Sequence, residues 1–218
     1  MKKHEFPVMP DAIDLILAGL ACLIMFVIWF GPPGLILPVL FIIFVLYFFR
    51  NPKRVYTGSR EEIISPADGV IQFVEEVAEE RYLHAPAIKV SIFLSVFDVH
   101  INRAPLDGAV EYLEYVKGKF LPAFKGHASE LNERNYLGLR SIHDARHTVL
   151  VAQITGFIAR RIVCWTKTGE VLSRGERFGM IKFGSCVEIY LPKGTEILVH
   201  SGQKVRGGET VIGRFKYE

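Results

Sequence analysis

Two uncharged apolar runs near the N-terminus limit what this chain can fold into more than any other feature. Residues 15–30 read LILAGLACLIMFVIWF and residues 35–49 read LILPVLFIIFVLYFF, with Gly31-Pro32-Pro33-Gly34 between them. As one straight helix the stretch would measure about 50 Å, well over a hydrocarbon core of about 30 Å. A Gly-Pro-Pro-Gly step is turn chemistry. The pattern predicts a hairpin of two short helices, each arm roughly 22–24 Å long, either transmembrane or re-entrant. Lys2 and Lys3 precede the first arm, and Arg50, Lys53 and Arg54 follow the second. Positive charge at both ends puts both ends on the cytoplasmic side of a cell membrane, and with them the domain that follows. A cleaved signal peptide fits less well, because a second apolar arm follows and no small-residue cleavage site is evident.

Past residue 50 the pattern changes. Segments 69–74, 88–94, 148–154, 187–191 and 196–199 are rich in Val, Ile and Phe, several alternate apolar with polar, and turn residues separate them. That is the period-two signature of half-buried strands. Lys204-Val-Arg-Gly-Gly-Glu-Thr-Val-Ile-Gly213 reads as strand, glycine turn, strand, and residues 120–133 as one short helix or an ordered loop. The expectation is a membrane hairpin over 1–50 and a mainly β (β-rich α+β) soluble domain over 51–218. A net charge of +3 without a long Lys/Arg block gives no sign of a nucleic-acid partner. Cys22, Cys164 and Cys186 form no CxxC pair, which speaks against a disulfide framework or zinc site and for buried thiols in a reducing compartment. No histidine pair of HExxH or HxxxH spacing falls on an evident helix, so no metal is expected.

Several segments carry residues capable of chemistry. In Phe183-Gly184-Ser185-Cys186-Val187 a Gly-Ser step immediately precedes a strand. Glycine obstructs attack on its own carbonyl least, and the following hydroxyl can reach that carbonyl in a strained turn. Such attack turns the amide into an ester, β-elimination then breaks the chain, and the new N-terminus hydrolyses to a pyruvoyl group. Taken alone, Gly-Ser is an ordinary turn, as is Asp68 in Ser65-Pro-Ala-Asp-Gly69. His100, beside an apolar segment, is alone more often a hydrogen-bonded structural residue. Asn132 and Arg134 lie in a polar cluster, where they could donate to a phosphate or carboxylate headgroup or simply be solvated.

Together these segments resemble the phosphatidylserine decarboxylase family in its short bacterial and archaeal form. The resemblance runs in order through Phe48-Phe-Arg-Asn-Pro52, Ser65-Pro-Ala-Asp-Gly69, Ser95-Val-Phe-Asp-Val-His-Ile-Asn-Arg-Ala-Pro105, Ser129-Glu-Leu-Asn-Glu-Arg134, Gly156-Phe-Ile-Ala-Arg-Arg-Ile-Val163 and Arg177-Phe-Gly-Met-Ile-Lys-Phe-Gly-Ser185. It implies self-cleavage between Gly184 and Ser185, giving a β fragment 1–184 and an α fragment 185–218 that stay together as a heterodimer, with higher oligomers also open. The α fragment would begin with a covalent pyruvoyl group made from Ser185. That group would form a Schiff base with the amine of a phospholipid substrate and accept electrons as CO2 leaves, yielding phosphatidylethanolamine. Asp68 matches the aspartate implicated in self-processing, and His100 the histidine implicated in decarboxylation. Longer members carry a second histidine three positions later, where this chain has Arg103. An arginine is not a base at neutral pH, so either His100 serves both steps or Asp68 acts through water. Competing readings are a serine hydrolase, against which the missing GxSxG elbow weighs, and a membrane-tethered, non-enzymatic β-rich binding module.

Overall fold

The computed structural model describes residues 6–121, 131–156, 161–182 and 185–216. The chain forms two compact units, Met1–Lys53 and Arg54–Glu218.

The first unit is the hairpin expected from the Gly-Pro-Pro-Gly break. Helix α1 (Ile13–Phe30) ends at Gly31, whose φ of 65° glycine tolerates, with its N–H on the Val27 carbonyl at 2.9 Å. A 3₁₀ turn (Pro32–Leu35) leads into α2 (Ile36–Phe48). The arms pack closely: a Cβ on Gly34 would lie 2.3 Å from the Phe26 carbonyl oxygen. With its leading turn, the first arm covers Pro10–Phe30, 21 residues of mean hydropathy 2.6, long and apolar enough to cross a membrane, whereas the second, Pro32–Phe48, is shorter. Exposed Ile28, Trp29 and Phe30 suit a lipid environment better than water.

The second unit is β-rich. Its main sheet has eight strands in the order β13-β2-β3-β11-β7-β6-β5-β9: Lys204–Val205, Gly69–Glu79, Ala85–Leu94, Ser185–Pro192, Thr148–Thr155, Arg134–Ser141, Gly108–Val116 and Val171–Leu172. A three-stranded sheet, β4-β10-β8 (Ile101–Arg103, Arg177–Lys182, Arg161–Cys164), packs against it. Another, β1-β14-β12, joins Glu62–Ile64, Val211–Arg214 and Glu196–Ile197. The segment 204–213 thus supplies two strands that pair with different sheets rather than with each other. Most of 120–133, read as a helix or ordered loop, lies outside the described residues.

Strand β11 shows why the sequence folds this way. Val187, Ile189 and Leu191 alternate with Cys186, Glu188 and Tyr190. The first set joins the main core with Leu94, Val151 and Ile181, and Cys186 joins a smaller cluster on the other face with Tyr136, Leu150 and Ile154. Buried on both faces, β11 pairs with β3 from Ser185↔Leu94 to Pro192↔Ala87 and with β7 from Ser185↔Thr155 to Tyr190↔Leu150. The cysteines are free; Cys186 is buried, but Cys164 is half-buried and Cys22 exposed on the apolar α1. An apolar helix face, rather than a protein core, surrounds Cys22, which is why the expectation of buried thiols fails there.

Candidate active site

Ser185 opens β11 and is fully buried, and its Oγ has no hydrogen-bond partner among the described residues. A buried hydroxyl without a partner costs roughly 1–3 kcal/mol, so the fold holds this one at an energetic loss. Its proposed cleavage neighbour, Gly184, lies outside the described residues. Side chains alternate along a strand and align across a register pair. Ser185, Val187, Gln153 and Thr155 therefore project from one face of the main sheet. Gln153 Nε2 donates to Asn102 Oδ1 at 2.8 Å, so that face looks toward the small sheet holding β4.

His100 precedes β4. The Ile181 N–H donates to its carbonyl at 3.2 Å, which continues the β4–β10 register (Ile101↔Met180, Asn102↔Gly179) by one step. Alternation puts the His100 and Asn102 side chains on one face of β4, the face meeting Gln153. Moving from Asn102 to His100 follows β10 toward its exit at Lys182, three residues before Ser185. Ser185 and His100 therefore point into the same dry layer, at the same end of it. His100 is 1% exposed, and its Nδ1 lies 3.0 Å from the Asp98 carbonyl. A carbonyl can only accept, so Nδ1 carries the proton in the neutral ring and Nε2 carries the lone pair.

Asp68 sits elsewhere in the same neighbourhood. Its turn is tied to β4 by Arg103 N–H on the Pro66 carbonyl at 2.9 Å. The β2–β3 register, extended by one step, sets Gly69 opposite Leu94 and so two strands, about 10 Å, from Ser185. Only glycine fits there, since an added Cβ would lie 2.1 Å from the Phe93 carbonyl oxygen. Both carboxylate oxygens of Asp68 are engaged by the Arg54 fork, and Oδ1 also accepts the Gly207 N–H at 2.8 Å. Burial works to lower the Arg54 pKa, but the hydrogen bond and charge of Asp68, with Glu209 beyond, leave it raised. Arg103 is 2% exposed and donates to the Gly175 carbonyl at 2.9 Å. Burial, then the charges of Arg177 and Arg54, pull its pKa down to about 10, which still leaves a cation at neutral pH. Cys186, beside the serine, is pushed up to about 12 by burial and by Glu188, so it is no alternative nucleophile.

The other expected site residues fall differently. Asn132 is fully buried: its Oδ1 accepts from Leu121 N–H, and its Nδ2 donates to the Leu121 and Thr155 carbonyls at 2.8 and 2.7 Å. Its amide braces the strand beside Ser185 rather than facing a ligand. Arg134 shares a face with Ile154 and Tyr136, with its guanidinium carbon 6.0 Å from the Tyr136 ring centre. That face is the one opposite Ser185, so the structure separates Arg134 from the serine. The sequence reading missed the Arg54 clamp and a buried amide relay, Asn135 Nδ2 to Gln153 Oε1 at 3.0 Å and on to Asn102, whose own Nδ2 is unpartnered among the described residues. Polar residues alternating with core positions in β6 and β7 were the available signal for the relay.

The profile of the phosphatidylserine decarboxylase family matches residues 41–213. The chain belongs to that family. Among similar proteins are the phosphatidylserine decarboxylase proenzymes of Carboxydothermus hydrogenoformans, 58% identical over 92% of this chain and 91% of the relative, and of Symbiobacterium thermophilum, 51% identical over 91% and 90%. That of Syntrophus aciditrophicus is 46% identical over 83% and 84%. Membership makes the protein a decarboxylase of the carboxy-lyase class, and the word proenzyme in the relatives' names hints at processing of the chain.

Proposed function

We propose that this protein decarboxylates phosphatidylserine to phosphatidylethanolamine at a membrane surface, using a pyruvoyl group that it makes from Ser185. The observation that carries the reading is the buried Ser185 Oγ, unpartnered among the described residues, on the face that looks toward the sheet bearing His100. In self-processing the Oγ attacks the carbonyl ahead of it, His100 Nε2 takes the hydroxyl proton, and the C–N bond breaks to leave an ester. Loss of the residue-185 Cα proton then expels the Oγ with the preceding carboxylate, and water replaces the resulting enamine nitrogen, releasing ammonia. Asp68, held by Arg54 in the turn tied to β4, supports self-processing from beside this layer. Arg103 keeps its proton throughout, which favours His100 over any group at position 103 as the base.

Residue 185 would hold the pyruvoyl group at the buried tip of β11, and the orphaned oxygen there fits a position reserved for chemistry rather than packing. The group supplies the electrophilic carbonyl and electron sink that decarboxylation of an amino-acid headgroup requires. His100 then returns a proton to the substrate carbon. The hairpin would keep the site near the lipid, with both ends on the cytoplasmic side, and fragments 1–184 and 185–218 would remain paired through β11. The test is full-length protein in phosphatidylserine-containing micelles, with denaturing electrophoresis and mass spectrometry of the chain. Release of CO2, its loss on treatment with a carbonyl reagent, and two fragments are expected. An active, uncut chain with an ordinary serine at 185 would overturn the proposal.

A further inference from the structure

One heavily bonded charged group in the second unit, Arg54, is not explained by the reaction above. Arg54 lays its guanidinium fork on Asp68, with Nη1 on Oδ1 and Nη2 on Oδ2 at 2.7 Å. Its Nη1 also donates to the Gly207 carbonyl, and its Nε lies 3.8 Å from Glu209 Oε1. Gly207 returns its own N–H to Asp68 at 2.8 Å. The two side chains are 8% and 12% exposed, so little solvent screens the pair. Arg54 and Asp68 precede the proposed cut, while Gly207 and Glu209 follow it. The arginine thus ties the aspartate's turn to the loop before β14, across the fragment boundary.

A paired fork does more than neutralise. Two parallel N–H···O bonds fix the plane as well as the position of a carboxylate, which a lysine cannot do. With three donors on its two oxygens, Asp68 has one orientation. We propose that Arg54 is the positioning residue for Asp68, and that it influences self-cleavage only through that carboxylate. This rests on the reading of Ser185 as the residue that is cut. Displacement of a group by about 1 Å can cost on the order of 10²-fold in rate, and that is the scale expected for loss of the fork.

The test is a double-mutant cycle on the self-cleavage rate of the full chain, translated in vitro with lipid vesicles and followed on denaturing gels. Arg54→Met and Asp68→Asn should each slow cleavage on the order of 10²-fold, and the double variant should be no slower than either. Arg54→Lys, which keeps the charge but not the fork, should recover only part of the loss. Multiplying effects in the double variant, native-rate cleavage by Asp68→Asn, or full rescue by Arg54→Lys would each overturn the proposal. Thermal melts accompany each rate. If Arg54→Met alone fails to fold because it strands a buried charge, the double variant, which strands none, still reports by comparison with Asp68→Asn. Cleavage persisting in Ser185→Ala would instead sink the underlying reading, whatever Arg54 does.

Discussion

A serine kept for chemistry should be a burden to the fold, and that burden is measurable. Ser185 is fully buried and its Oγ has no partner among the described residues. Leaving a hydroxyl unsatisfied costs roughly 1–3 kcal/mol, whereas replacing it by hydrogen removes one atom and leaves a void worth a few tenths. Ser185→Ala should therefore stabilise the uncut chain by about 1–2 kcal/mol. For a domain of this size that corresponds to a melting-temperature rise of roughly 2–8 °C. The comparison needs a background that cannot cut itself, namely His100→Ala with a single band on a denaturing gel, with and without Ser185→Ala. Circular dichroism in the strand region follows the β-rich unit. A fall in melting temperature of more than a couple of degrees would mean that the hydroxyl has a structural partner, refuting the placement of Ser185 argued above.

Other outcomes follow from the same geometry. His100→Ala should leave the chain uncut and so abolish CO2 release from phosphatidylserine; a processed, fully active variant would remove His100 from the mechanism. Gel filtration of processed protein without denaturant should keep the 185–218 fragment with its partner, since its first strand is paired on both sides; an isolated fragment would contradict that pairing. Glu62 is hydrogen-bonded by Tyr56, Arg214 and Ser59 N–H, and these bonds hold its pKa down to about 2. A depressed carboxylate pKa gives stability present above about pH 4.5 and lost as pH falls toward 2. Acid unfolding of Glu62→Gln should show less loss than the parent in that window; identical curves would refute the role of this carboxylate.

The hairpin was legible because its signal is one of length and composition, and the break falls where glycine and proline leave no alternative. The central strands were legible where Val and Ile alternate over six residues or more, as in β3, β7 and β11. A two-residue strand such as β9 carries no period of its own and exists because a neighbour offers a ladder. Ser185 and His100 lie 85 positions apart in the chain, and only the β4–β10 register brings them to one layer. Register also decided against Arg134 as a neighbour of Ser185: on a strand, parity alone selects the face, and the sequence does not print the parity. Asn132 looked like a headgroup donor because a free amide and a fully committed one are the same letters. The Arg54 clamp joins residues 14 and 153 positions apart, and no local pattern marks it.

The place of Ser185 at the head of a strand stitched on both flanks has a consequence for what a cut there creates. Newly made chain ends ordinarily fray and sample many poses. Here the end would be born inside a wall, with the next seven residues already anchored, so the reagent it carries would inherit the rigidity of the fold's interior. Nothing has to be recruited, docked or ordered afterwards: the act of severing also completes the aim.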